Sequence, residues 1–328
     1  MDGRYKFAVL NFDGTAEKTE NFRAFFYKRS LDSLNRKSEK IEYQLSKVAE
    51  FEPEKLSLFE LSSQEEFDLY VKIRGKYTPL GTSQILVLGN DFHKTNNANL
   101  FVDNEPGMVP LYEGKFMNQF SLTLPEEIPD AVQKDDAIRK VGSDLDQYRI
   151  ILRSIARSTD KRSLIATLLP PGNTATHSLF IQKEAGLMDD NTKIFVSGVL
   201  NSYCLDYILR KLITTNVSLT YLKQLPIPLP TDVEDSNQIG QIVLQLLKEN
   251  GNIYNDLDAL NLGTDYEGVG HDELIAELNA RVMIDFDLTR GEIVALMKTF
   301  ESANHRDFVR EETQRILNKY DTLKKGEA

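Results

Sequence analysis

Three prolines alternate in Leu225-Pro226-Ile227-Pro228-Leu229-Pro230. Each lacks an amide donor and holds φ at about −65°, so the stretch fits neither a helix interior nor a central strand. It must run extended, as a stiff connector at a sheet edge or a domain boundary. The two sides of it are patterned differently. After it, Ile239, Ile242, Val243, Leu246 and Leu247 follow the i, i+3, i+4 spacing of a packed helix that Asn250-Gly251 can stop. Leu274, Ile275, Leu278 and Val282 mark a second helix. Thr289 with Glu292 makes a capping box for a third, carrying Ile293, Val294, Leu296, Met297 and Phe300, and a fourth spans roughly Phe308 to Leu323.

Before the prolines the pattern is mixed. Tyr5 to Phe12 alternates as a strand that Asp13-Gly14-Thr15 would end, and Phe22, Phe25, Phe26 and Leu34 give an apolar side to a helix around Asn21 to Arg36. Phe51-Glu52-Pro53 and Leu56 to Leu61 read as a short strand, and Gln64 to Lys76 as a helix carrying Phe67, Leu69, Tyr70 and Ile73. In Leu111-Tyr112-Glu113-Gly114-Lys115-Phe116 a glycine interrupts an apolar and aromatic segment, where it could admit a close backbone approach. Strands are expected at Tyr148 to Ala156, Ser163 to Leu169 and Lys193 to Ser197, then a helix from Val199 to Ile213. The predicted class is α+β followed by a helical C-terminal region.

At 328 residues the chain accommodates two or three domains of roughly 100 to 200 residues. No apolar run approaches the roughly 20 residues of a membrane span, and the start lacks a cleavable leader pattern, so no membrane role and a cytoplasmic location are expected. Cys204 is the only cysteine, which rules out an internal disulfide and a cysteine-based zinc cage. The net charge of −11 argues against a generally basic nucleic-acid binder. Its distribution qualifies that. Residues 149–230 hold ten Lys/Arg against five Asp/Glu, a net of +5, whereas residues 231–328 hold ten against twenty, a net of −10. A local anion-binding surface beside an acidic segment with another partner fits this asymmetry, as do two ordinary solvated domains.

Inside the basic portion, Arg149, Arg153 and Arg157 recur every fourth residue and lead to Lys161 and Arg162. Four is near one helical turn and is even, so the three guanidinium groups share a face in a helix or a strand. Such forks bind phosphate oxygens and guanine edges, and Ser154, Ser158 and Thr159 flank them. The plainer reading is an arginine row solvating one side of an amphipathic element.

Several chemistries are missing. His93, His177, His271 and His305 show no metal-ligand spacing, and no Walker-type lysine loop or serine-nucleophile elbow is present. Gly268-Val269-Gly270 resembles a dinucleotide loop but lacks a preceding strand and a third glycine. Asp130, Asp135, Asp136 and Lys140 form a metal-nuclease pattern only if the usual spacing is ignored. No catalytic, metal or cofactor residue is assigned to this chain.

Taken in order, Lys6-Phe7-Ala8-Val9-Leu10, Leu111 to Phe116, Arg153 to Ala166, Leu168-Leu169-Pro170, Leu200 to Arg210, Leu222 to Pro230, Glu277-Leu278-Asn279-Ala280 and Phe286 to Glu292 resemble a known family. They follow the order found after the methyltransferase core of type IIG restriction-modification enzymes and related phage-defence adenine methylases. The resemblance covers nearly the whole chain. In that family this region is the target-recognition part, similar to the specificity subunits of type I restriction systems and to the specificity domain of Taq-type adenine methyltransferases. It implies residues 1–105 as the end of the core and a linker, 106–230 as the target-recognition domain, and 231–328 as a helical packing or docking region.

The resemblance further implies double-stranded DNA as partner, with Arg149, Arg153, Arg157, Lys161 and Arg162 holding phosphates or reading bases and Tyr112 and Lys115 on the same face. A core tyrosine and a solvated lysine are the other reading of the last two. The family's glycine-rich loop for S-adenosylmethionine and its Asn/Asp-Pro-Pro-aromatic motif are absent. The nearest string, Leu169-Pro170-Pro171-Gly172, has Leu where the polar acceptor belongs and Gly in place of the aromatic stack, so it reads as a turn. The chain is therefore expected to recognise DNA without a methyltransferase centre, S-adenosylmethionine being held by a partner adenine-specific methyltransferase polypeptide. Alternatives are a truncated, inactive remnant of such an enzyme and a metal-dependent nuclease.

Overall fold

The structure, a computed structural model, describes residues 18–28, 40–51, 58–213, 215–251, 253–254, 262–263 and 265–326, with single positions Val9, Asn11, Gly14, Leu56 and Leu257. The chain divides into two compact units, residues 1–64 and 65–328. The strand expected at Tyr5 to Phe12 lies outside the described residues apart from Val9 and Asn11.

In the first unit β1 (Asn21–Ala24) pairs antiparallel with β2 (Ile41–Gln44), which runs into α1 (Leu45–Phe51). A strand thus stands where the aromatic spacing predicted the start of a helix, and cross-strand partners explain it. Phe22 stacks on Tyr43 with ring centroids 5.4 Å apart, and Arg23 pairs with Glu42 at 2.8 Å. The short strand expected at Phe51 and Leu56 to Leu61 is also corrected: Phe51 closes α1, the described residues 58–61 form no strand, and Phe59 packs its ring on Phe51 at 5.8 Å.

α2 (Gln64–Lys76) forms as predicted, with Phe67, Leu69, Tyr70 and Ile73 buried. The chain continues through α3 (Leu80–Ser83), β3 (Val87–Gly89), β4 (Phe101–Asp103), β5 (Val109–Tyr112), β6 (Met117–Asn118), β7 (Ser121–Leu122) and β8 (Asp130–Val132). Next come α4 (Lys134–Val141), β9 (Arg149–Arg153), β10 (Ala166–Leu169), β11 (Thr174–Ala175) and β12 (Leu179–Lys183). α5 (Asp190–Leu200), α6 (Tyr203–Leu212), α7 (Leu219–Leu222), α8 (Ser236–Lys248), α9 (His271–Asp285), α10 (Arg290–Lys298) and α11 (Arg306–Gly326) complete it.

Two sheets organise the second unit. One has the order β10-β9-β12-β3 and is antiparallel throughout; the other has the order β11-β5-β8-β4 and contains the parallel pair β11 and β5. Period-two alternation builds the layers. Tyr112 and Ala175 from the second sheet meet Ile151, Leu169, Leu179 and Ile181 from the first in one buried cluster. Val109, Leu111 and Val132 turn the opposite way, onto Ala137 of α4, Phe92 and Leu145. Strands on either side of residue 105 therefore share sheets, and α5 packs on α8 across residue 230.

The strand expected at Lys193 to Ser197 is instead part of α5, every residue of which from Lys193 to Leu200 is buried. A helix buried on all sides has no polar stripe, so a short apolar run within it reads as a buried strand. Asp189 caps α5 by accepting from the Thr192 amide, and Gly198 sets its distance from α8. An added Cβ there would lie 2.5 Å from Val243 Cγ2 and 3.4 Å from Ile239 Cγ2. Gly198→Ala should therefore lower stability by about 1–3 kcal/mol, overpacking exceeding the roughly 1 kcal/mol gained in helix propensity. A urea midpoint equal to or above that of the parent protein would contradict this.

Beyond the prolines the helical region is as predicted: α9 packs on α11 and α8, α10 on α11 and α6, and Thr289 with Glu292 forms the capping box of α10. The fold is mixed α+β with a C-terminal helical region.

Candidate nucleic-acid interface

The sheet topology gathers four loops at one end. β5 and β11 are parallel, with Leu111 opposite Thr174 and Tyr112 opposite Ala175, and Phe92 makes a parallel bridge to Thr176. Their continuations, His93-Lys94, Glu113-Gly114-Lys115 and His177-Ser178, therefore emerge together. β9 pairs Arg153 with Leu179 and delivers Ser154 to the same corner. Ser178 ties the loops: its Oγ accepts from the Gly114 amide at 3.0 Å, and its carbonyl accepts from the Ser154 amide at 3.1 Å and the Ser154 hydroxyl at 2.7 Å. A Cβ at Gly114 would lie 3.4 Å from the Ser178 carbonyl oxygen, ordinary contact, so the close approach expected there does not demand glycine.

Of the seven residues predicted for a DNA face, three reach solvent. Lys115 is exposed, 3.6 Å from Glu113 Oε1 and 4.7 Å from the Phe116 ring centre. Arg157 is exposed in the loop after β9, its amide donating to Asp160 Oδ2 at 2.9 Å. Lys161 is exposed and sits over the Phe308 ring at 3.2 Å, where partial burial draws its ammonium below the ordinary lysine range.

The other four are corrected. Arg149 is 0% exposed, donates to Asp91 Oδ2 at 2.8 Å and to the Asn173 carbonyl at 2.6 Å, and offers nothing to a phosphate. Arg153 is half-buried and donates to the Met117 carbonyl, its guanidinium held down by burial. Even spacing does place Arg149 and Arg153 on one side of β9, but Ile151 on that side belongs to the cluster between the sheets. The row turns inward, and it ends at Arg153 because β9 does. Tyr112 is buried, its hydroxyl donating to the Thr123 carbonyl at 2.8 Å, and burial pushes the phenol well up.

Arg162 is buried as well. Its Nε donates to Asp206 Oδ2 at 2.8 Å, an Nη donates to the Asn201 carbonyl at 2.5 Å, and the guanidinium lies 4.1 Å from the Tyr203 ring centre. Asp206 also accepts from the Ser163 amide and from Arg210 Nε at 3.4 Å, while Arg210 donates to the carbonyls of Asp160 and Lys161. α6 thereby clamps the loop that carries Arg157 and Lys161. One of the predicted residues, Arg162, is thus part of the frame, with Asp206 and Arg210, that holds the loop carrying two others, Arg157 and Lys161.

Four residues at the corner, Lys94, Glu113, His93 and His177, are not among the seven predicted for the DNA face. Lys94 Nζ lies 2.8 Å from Glu113 Oε2, and that carboxylate raises the lysine above its ordinary range. His93 and His177 stack with ring centroids 4.0 Å apart at 14°. Nothing in spacing alone could pair positions 93 and 177, because the parallel bridge at Phe92 and Thr176 brings them together.

Asp130 opens β8, and Asp135 and Asp136 lie in the first turn of α4. Among the described residues no group of three or more His, Cys, Asp or Glu is arranged to hold a metal ion, and no helix is long and apolar enough to cross a membrane. Pro171-Gly172 is a turn, with Gly172 at φ 76°. No protein-family model matches this chain, and no curated protein matches it in sequence.

Proposed function

We propose that this chain is a DNA sequence-recognition subunit, or separated recognition part, of an adenine-methylating restriction-modification or phage-defence system. It has a target-recognition fold of the restriction-specificity type and no methyltransferase centre of its own. An adenine-specific methyltransferase polypeptide binds S-adenosylmethionine and performs the transfer, and the acidic helical region docks or packs against that partner. The observation that carries this reading is that Lys94, Lys115, Arg157 and Lys161 are exposed cations on loops that leave the same end of the paired sheets. Loops on a rigid scaffold are where recognition residues reside, and cations on them meet phosphates before any base is read.

The test is binding to duplex DNA at low salt, alone and with an adenine-specific methyltransferase polypeptide as the proposed partner. Absence of binding in both cases refutes the reading. Replacing Lys115, Arg157 and Lys161 together by alanine should flatten the dependence of log affinity on log salt by about 2 to 3, near 0.9 for each phosphate that is no longer neutralised. An unchanged slope would remove these three from the interface. Because all three are exposed, their replacement should leave the thermal midpoint nearly unmoved.

A further inference from the structure

Ile155, just past the end of β9, is 64% exposed although the chain is held on both sides of it. Before it, Ser154 donates its amide and hydroxyl to the Ser178 carbonyl and accepts at its own carbonyl from the Val217 amide at 2.9 Å. After it, Ala156 is buried, and the Arg157 carbonyl accepts from the Asp160 amide at 3.1 Å and the Ser163 hydroxyl at 2.7 Å. A lone exposed isoleucine needs no explanation. This one is a fixed apolar surface, because its backbone is pinned and its branched side chain is stiff at χ1.

Ile155 makes an antiparallel bridge to Asn216, in the segment between α6 and α7. Residues directly opposed in this way send their side chains to the same face, with Cβ atoms about 4.5–5.5 Å apart. Burial sets which face that is. Ala156, next to Ile155, and Val217, next to Asn216, are both buried, so Ile155 and Asn216 turn outward together, and Asn216 is exposed. Among the described residues the Asn216 side-chain amide has no hydrogen-bond partner. Arg157 is exposed two residues beyond Ile155, so a guanidinium follows the pair directly.

The chemistry of the pair matches one kind of base pair. An asparagine amide donates to adenine N7 and accepts from the adenine amino group, two bonds made at once in the major groove. The only apolar group on the base edges there is the C5 methyl of thymine. Both lie on the edge of an A·T pair, side by side like the two residues of the bridge. We propose that Asn216 and Ile155 read a single A·T base pair, Asn216 holding the adenine and Ile155 the thymine methyl, while Arg157 anchors an adjoining phosphate. This rests on the DNA-recognition reading and assigns base-specific contacts within it.

Selection from a random duplex library by the full chain at low salt, alone and with the methyltransferase polypeptide, should return a site with a fixed A·T position. Asn216→Ala and Ile155→Ala should each relax that same position and leave the others fixed. Both side chains are exposed, so the thermal midpoint should hardly move. On the selected duplex, 7-deazaadenine at that position should weaken the parent about tenfold and Asn216→Ala hardly at all. Deoxyuridine in place of the thymine should weaken the parent about fourfold and Ile155→Ala hardly at all. Equal affinity of the parent for unmodified and modified duplexes overturns the assignment without reference to any variant. So do variants that relax different positions or none, and an Ile155→Ala loss that is the same with thymine and uracil, the mark of a wedge between base steps. In each of these cases a selected site exists and the recognition reading stands. A parent protein that enriches no duplex in either arm defeats both.

Discussion

Replacing Asp206 by alanine is expected to cost about 3–5 kcal/mol of folding stability, a large share of the roughly 5–15 kcal/mol a domain possesses. Asp206 is 0% exposed and is the carboxylate that faces Arg162, whose side chain is only 7% exposed, and Arg210, at 8%. Its removal leaves two guanidinium groups in a low-dielectric interior and takes an acceptor from the Ser163 amide. Most of the destabilisation comes from the stranded charges, so Asp206→Leu with Arg162→Met should recover much of it, although Arg210 remains. Urea unfolding of the single and double variants measures this. A single variant within about 1 kcal/mol of the parent would show that water reaches the cluster. If the proposed DNA recognition holds, affinity for DNA should fall with the single variant even where it is folded, because the loop bearing Arg157 and Lys161 loses part of its clamp.

A destabilisation of comparable size is expected for Asp91→Ala. Arg149 and Asp91 are both 0% exposed and bonded at 2.8 Å, and Lys183, 26% exposed, bonds the other carboxylate oxygen. Without Asp91 the Arg149 guanidinium keeps only the Asn173 carbonyl, a cost of about 3–5 kcal/mol. Lys183→Met should cost far less, since a partly exposed ammonium pair contributes little beyond about 1 kcal/mol. The ranking of the two by thermal or urea unfolding tests the assignment; equal effects would reject it.

The contrast between these arginines and Arg157 shows how far the residues could be read without coordinates. Every fourth position was correctly placed on one side of β9 at Arg149 and Arg153, because strand alternation is a property of the backbone. Which side met solvent was not legible. An arginine buried against an aspartate 58 residues away carries no local mark distinguishing it from a solvated one. The same holds for Arg162 and Asp206. Where the partner was local the reading succeeded, as in the capping box of Thr289 and Glu292, the apolar face of α2 and the helices after the prolines. Where an element was chosen by distant contacts it failed: β1 owes its form to Tyr43 and Glu42, and α5 is helical with every residue from Lys193 to Leu200 buried.

The α+β class, the helical nature of the region after Pro230 and the contrast between a basic segment at 149–230 and an acidic one at 231–328 are all written in the order of the residues. They follow from proline chemistry, apolar period and composition, which act over a few residues or over the whole chain. Which cations face water and which loops meet depends instead on how distant segments pack. The parallel bridge of Phe92 to Thr176 and the parallel pairing of β5 with β11 set Lys94, Lys115 and the two histidines at one corner. Burial turned Arg149 and Arg162 from candidate DNA-binding residues into supports, since a charge removed from water must be matched by an opposite charge brought from elsewhere in the chain.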